Sequence, residues 1–65
     1  MDTRKIRLTA LLTQEEFAKK IGVSASTVAK WERGVFKPSL KQQRKIIEFC
    51  KESEVEYIKE NGLRN

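Results

Sequence analysis

The sequence predicts an all-α fold, a bundle of four to five short helices built around a helix-turn-helix. Three observations lead to it. Three Ser or Thr residues each precede an apolar stretch of helical period: Thr13, Ser24 and Ser39. Two glycines, Gly22 and Gly34, follow the ends of those stretches, where a left-handed helix terminus favours glycine. Apolar residues between these signals share one helical face, as Phe17, Ala18 and Ile21 do at i, i+1 and i+4.

The first helix is expected within residues 4–12, where Ile6, Ala10 and Leu11 recur at helical spacing. Arg4 and Lys5 near its start oppose the helix dipole, a local penalty that a nearby phosphate would offset. The second helix occupies 13–21. Thr13 and Glu16 form a capping box, Leu12 and Phe17 stand at the staple positions, and Phe17, Ala18 and Ile21 share one face. After Gly22, Ser24 caps a third helix over 24–33, with Val23 and Val28 as its staple and Val28 and Trp31 as its buried side. Two helices joined by so tight a turn must cross, leaving an open side for other elements to cover. Ala18 is small where the first of the pair approaches the turn. This is the geometry of a DNA-binding helix-turn-helix.

Gly34 to Pro38 reads as a loop, and Pro38 disfavours helix at Lys37. Val35 and Phe36 either fold back over the core, the preferred reading, or form an exposed patch for a second subunit. Ser39 with Gln42 is a second capping box and opens a fourth helix, whose apolar side is Leu40, Ile46, Ile47, Phe49 and Cys50. Ser53 with Glu56 reads as a third box, followed by Val55, Tyr57 and Ile58. This suggests a short separate fifth helix over 53–61 rather than a continuation of the fourth.

Length and composition narrow the function. Sixty-five residues fit one domain, 1–65, with its core in 4–50 and an extension at 53–61. The single Cys excludes an internal disulfide, and the absence of His removes the commonest general base and metal ligand. No apolar run approaches the roughly 20 residues of a membrane span, and no secretory leader is visible, so a cytoplasmic location is expected. The acidic side chains fit caps and solvated faces, and no catalytic constellation, metal site or cofactor site emerges, so no enzyme is expected. The net charge is +5, unevenly placed: residues 1–45 hold 11 basic and 4 acidic side chains, residues 46–65 hold 3 and 5. The positive charge travels with the helix-turn-helix, which points to nucleic acid. Few aromatic residues are available for base stacking, which favours duplex DNA over RNA.

On that reading the third helix turns outward its short or flexible polar positions, as a helix entering the major groove requires. Ala25, Ser26 and Lys30 are the candidate base-reading residues, and Ser24 and Thr27 sit at the edge. Thr13 and Gln14, at the start of the second helix, meet an anion where backbone N–H groups and the positive dipole end converge. Lys37, Ser39 and Lys41 flank the start of the fourth helix in the same way.

The residues 12–18 (LTQEEFA), 22–24 (GVS), 31–34 (WERG) and 38–39 (PS) resemble the lambda-repressor-like (Xre) helix-turn-helix family, over about residues 4–50. The resemblance implies a compact bundle of about five helices, dimeric operator binding and transcriptional repression. It implies that Gln14 is a phosphate contact, that Ala25, Ser26 and Lys30 read bases, and that Ser24 and Thr27 contact the backbone beside them. It further implies a partly buried ion pair between Arg7 and Glu32, in which removal of one partner costs about 3–5 kcal/mol. Two positions depart from the family pattern: Leu11, where glycine is frequent, and Gln43, where the fourth helix usually has an apolar residue. An antitoxin that binds a partner protein through residues 53–61 and autoregulates through the same motif is the alternative. Double-stranded DNA is the expected partner, with a homodimer and that protein partner as the others considered.

Overall fold

The four helices of the computed structural model, which describes residues 1–57, all end in the same way. They are α1 (Thr3–Thr9), α2 (Gln14–Ile21), α3 (Ala25–Glu32) and α4 (Leu40–Ser53), and no strand occurs among the described residues. Each is followed by one residue in the left-handed region: Leu11 (φ 62°), Gly22 (φ 88°), Gly34 (φ 77°) and Glu54 (φ 57°). In each case the next residue donates its backbone N–H to the carbonyl five positions back: Leu12 to Arg7, Val23 to Ala18, Val35 to Lys30 and Val55 to Cys50. This is the long bond of a Schellman terminus, which satisfies a carbonyl that the helix itself leaves open. The donating residue is apolar every time, and Leu12, Val23 and Val55 fold back onto the core. Val35 stays exposed.

The starts are equally regular. Asp2, Thr13, Ser24 and Ser39 lie in extended backbone, and each accepts an N–H bond with its side chain. Thr13 with Glu16 and Ser39 with Gln42 form complete capping boxes. Asp2 starts α1 one residue earlier than the spacing of apolar positions suggests. It also supplies the negative charge that Arg4 and Lys5 lack at that dipole end.

The core is built where the apolar faces cross. Ile6 of α1, Phe17, Ala18 and Ile21 of α2, Val28 and Trp31 of α3, and Ile46, Phe49 and Cys50 of α4 are buried together. Helix α2 packs on both α3 and α4, and α1 closes over α3. Phe17 and Phe49 meet edge to face, centroids 5.5 Å apart at 80°. Ala18 is buried in the crossing, where added volume would displace α3.

Several expectations need correction. Helix α1 stops at Thr9, and Leu11 is 89 % exposed rather than part of the core. Its helical spacing from Ile6 is lost once the chain turns left-handed. Leu40 is 74 % exposed: at about 100° per residue it lies roughly 120° around α4 from Ile46 and opposite Phe49, off the buried stripe. Val35 and Phe36 do not cover the core: they are 57 % and 45 % exposed, in a loop directed by the Gly34 turn. Ser53 caps no fifth helix. It is the last residue of α4, and residues 54–57 are not helical, because the backbone left-handed at Glu54 lets Val55 reach the core. The remainder of the expected helix, 58–61, lies outside the described residues. Gln43, the polar interruption of α4, donates its side-chain N–H to the Pro38 carbonyl at 3.0 Å. It ties the loop to α4 where an apolar residue would leave that carbonyl unmet.

Candidate nucleic-acid interface

The turn between α2 and α3 sets the surface. With Gly22 left-handed and Ser24 capping, only Gly22, Val23 and Ser24 separate the two helices. Val23 packs inward, so α3 crosses α2 with its Val28 and Trp31 side buried and the opposite side directed to solvent. On that outer side Ser26 is exposed, while Lys30 and Thr27 are half-buried. Ala25 packs partly against the core, which leaves only part of its methyl open to a ligand. No acidic residue occupies the first turn of α3.

Hydroxyls used as caps keep their protons. Ser24 Oγ accepts the Thr27 N–H at 3.1 Å and lies 3.0 Å from Thr27 Oγ1. One proton of that pair bridges the two oxygens and the other is left to donate. Thr13 Oγ1 accepts the Glu16 N–H at 3.1 Å, and Ser39 Oγ accepts that of Gln42 at 3.2 Å. Capping uses their lone pairs, so each can still donate to a phosphate oxygen. The two helix starts differ in charge. Glu15 and Glu16 lie in the first turn of α2, although Glu16 is occupied with the Thr13 N–H at 2.8 Å. The first turn of α4 carries no acid, and Lys37 and Lys41 beside it are exposed. The start of α4 is therefore the more electropositive of the two.

A hydrogen-bonded cluster joins α1, α2 and α3. Arg7 grips Glu32 with both arms of its guanidinium, Nε to Oε2 at 2.6 Å and Nη2 to Oε1 at 3.0 Å. Its Nη1 donates to the Leu12 carbonyl at 2.9 Å. Both side chains are largely buried, 11 % and 7 % exposed. Gln14 Nε2 donates to Glu32 Oε1 at 3.1 Å, and exposed Arg4 stands 3.8 Å from the same oxygen. The hydrogen bond from Arg7 holds the Glu32 carboxyl below its ordinary range. Burial opposes this, and the Gln14 bond and the charges of Arg7 and Arg4 reinforce it. The same bond raises Arg7. A bidentate, charge-assisted pair of this kind holds all three helices at one spacing.

The structure thus brings Arg7, Gln14 and Glu32 into one network and Ser24 and Thr27 into another. Lys37 lines a groove with Arg4, Trp31 and Glu32, whereas Ser39 and Lys41 stand at the separate start of α4. Two participants have no obvious sequence signal. Arg4 faces Glu32 from the exposed side of α1. The Leu12 carbonyl is a backbone acceptor, and nothing in the sequence marks it as the anchor of Arg7. Among the described residues no cluster of His, Cys, Asp or Glu could hold a metal ion, and no helix is long and apolar enough to cross a membrane.

Comparison with known proteins agrees with this geometry. A model of the helix-turn-helix family matches residues 4–57. A protein of Methanocaldococcus jannaschii described as an uncharacterized HTH-type transcriptional regulator is 53 % identical over 38 residues, 58 % of this chain and 58 % of that protein. One of Archaeoglobus fulgidus with the same description is 44 % identical over 43 residues, 66 % of this chain and 61 % of that protein. The chain thus spans about three fifths of the length of these relatives. No solved structure matches it. Four capped helices, a glycine turn between α2 and α3, and a family match over residues 4–57 lead to one conclusion: the chain belongs to the lambda-repressor-like (Xre) helix-turn-helix family.

Proposed function

We propose that this protein is a sequence-specific regulator of transcription that binds duplex DNA, acts as a repressor in the cytoplasm, and lays α3 in the major groove. The observation that carries this reading is the outer face of α3. It is short, free of acidic residues at its start, and flanked by two helix starts with hydroxyl donors. The relatives described as transcriptional regulators support it. Ser26 and Lys30 read base edges, and the exposed part of Ala25 meets a thymine methyl. Thr13, Gln14, Ser24, Thr27, Lys37, Ser39 and Lys41 hold phosphates on either side. Two copies on one operator would place their reading helices about 34 Å apart on one face of the duplex.

The test is selection from random duplexes, followed by anisotropy titration of the native chain and the Ser26→Ala/Lys30→Ala variant over a range of salt. The expected result is an enriched sequence whose advantage over random duplex disappears in the variant. Affinity should fall steeply with salt for both DNAs, as counterion release requires. If no sequence is enriched, base reading by α3 is refuted.

A further inference from the structure

We propose that Glu32 is a positioning residue for the DNA backbone: it fixes the side-chain amide of Gln14 so that one N–H of that amide is presented to a phosphate. The proposal rests on the duplex-binding reading above and assigns a role to the buried carboxylate beyond joining helices. A carboxylate at neutral pH only accepts hydrogen bonds, so the Gln14 amide must turn its nitrogen, not its oxygen, toward Glu32. The 3.1 Å contact from Nε2 to Oε1 has that sense. An untethered glutamine amide rotates broadly about its last torsion, and in many orientations it offers its carbonyl to a phosphate, which repels it. Tethering one N–H of Nε2 leaves the other on the same nitrogen available, and Gln14 is only half-buried.

The tether is itself held. Arg7 binds both oxygens of Glu32, at 2.6 and 3.0 Å, and Arg7 is anchored to the Leu12 carbonyl at 2.9 Å. Leu12 and Gln14 flank Thr13, so the chain of bonds leaves the start of α2, crosses to the last residue of α3 and returns. The first turn of α2 and the last turn of α3 are set at one distance. A phosphate held at Gln14 is thereby placed in register with the helix that reads bases. Arg7 offsets the charge of Glu32, and Arg4 at 3.8 Å adds positive charge, so the buried carboxylate does not repel the backbone it serves.

A double-mutant cycle separates positioning from structural support. Gln14→Ala is made in the native chain and in an Arg7→Met/Glu32→Leu background. That background removes one positive and one negative charge together and leaves the net charge unchanged. Binding is read by anisotropy on the duplex enriched by the native chain, with thermal unfolding of each variant alongside. In the native background Gln14→Ala should weaken binding about 10- to 100-fold, the loss of a hydrogen bond to a charged acceptor. Without Glu32 the same substitution should change binding by less than about twofold. Equal loss in both backgrounds, or none in the native one, overturns the proposal. If the paired background does not fold, NMR of the native chain decides: one Gln14 amide proton should exchange slowly with water, with and without duplex, and only the other should shift on binding. Two protons exchanging as fast as those of an exposed glutamine would overturn the proposal. Absence of any enriched duplex for the native chain would instead refute the reading on which it rests.

Discussion

Leu11 is, with Glu54, one of two non-glycine residues held in left-handed backbone among the described residues, and replacing it with glycine should stabilise the protein. Its φ of 62° puts the side chain where a Cβ crowds the backbone, at a cost of about 1–2 kcal/mol for an L-residue. The side chain recovers little of this, since it is 89 % exposed and buries almost no apolar surface. Leu11→Gly relieves the strain but admits more conformations of the unfolded chain, which offsets about 0.4–1 kcal/mol. The net gain is about 0.8 kcal/mol, with an upper value near about 1.6, or about 3–6 °C in melting temperature at the central value for a domain of this size. Leu11→Ala is the decisive control. It removes the exposed side chain yet keeps the Cβ, so it retains the strain and should stay within about 0.3 kcal/mol of the native chain. Urea unfolding followed by circular dichroism gives both values. If alanine stabilises as much as glycine, the gain comes from deleting exposed leucine and the backbone argument fails. If glycine destabilises, the Leu11 side chain makes contacts that the structure does not show.

The converse change, Gly22→Ala, should cost about 1 kcal/mol in the same assay. A Cβ there would meet only Lys45 Nζ at 3.8 Å, so the loss comes from the backbone at φ 88° rather than from a clash. Stability should also report the Glu32 carboxyl. Its folded pKa is lowered, so the stabilisation is complete above the unfolded value of about 4.3 and is lost as pH falls through the folded one. Urea midpoints should be level from neutrality to about pH 5 and then decline, more gently in the Arg7→Met/Glu32→Leu variant. Cys50 is fully buried, and burial pushes its thiol pKa up. A chromogenic disulfide reagent should therefore label it only at the rate at which the core opens, and subdenaturing urea should accelerate the reaction; rapid labelling of the native fold would contradict the burial.

How much of this was legible beforehand depended on the range of the interaction. The caps at Thr13, Ser24 and Ser39 link residues three apart, so a Ser or Thr before an apolar helical stretch, joined at Thr13 and Ser39 by Glu16 and Gln42, identifies them without knowledge of the fold. Gly22 and Gly34 were readable for the same reason, since glycine announces a left-handed residue by its own chemistry. Leu11 and Glu54 occupy the same conformation and announce nothing. Their turns are decided by Leu12 and Val55, which must reach the core, and packing of that apolar neighbour outweighs the strain of the residue before it. The Ser53–Glu56 pair shows the opposite failure: a correct capping pattern with no helix to cap, because Val55 is drawn inward first.

Helix faces divided in the same way. Periodicity placed Phe17, Ala18, Ile21, Val28, Trp31, Ile46, Phe49 and Cys50 inside, whereas Leu40, counted with the apolar side of α4, lies off that stripe by the same period and is left in water. The partners of polar side chains were least legible. That Gln43 meets the Pro38 carbonyl, or that Gln14 meets Glu32 across 18 positions, depends on where two helices cross. Sequence alone determined the caps, the glycine ends and the apolar stripes, because each is settled within about one helical turn. Tertiary structure decided which polar groups share a partner, because a buried carboxylate takes the donors that packing brings to it, at distances no local pattern encodes.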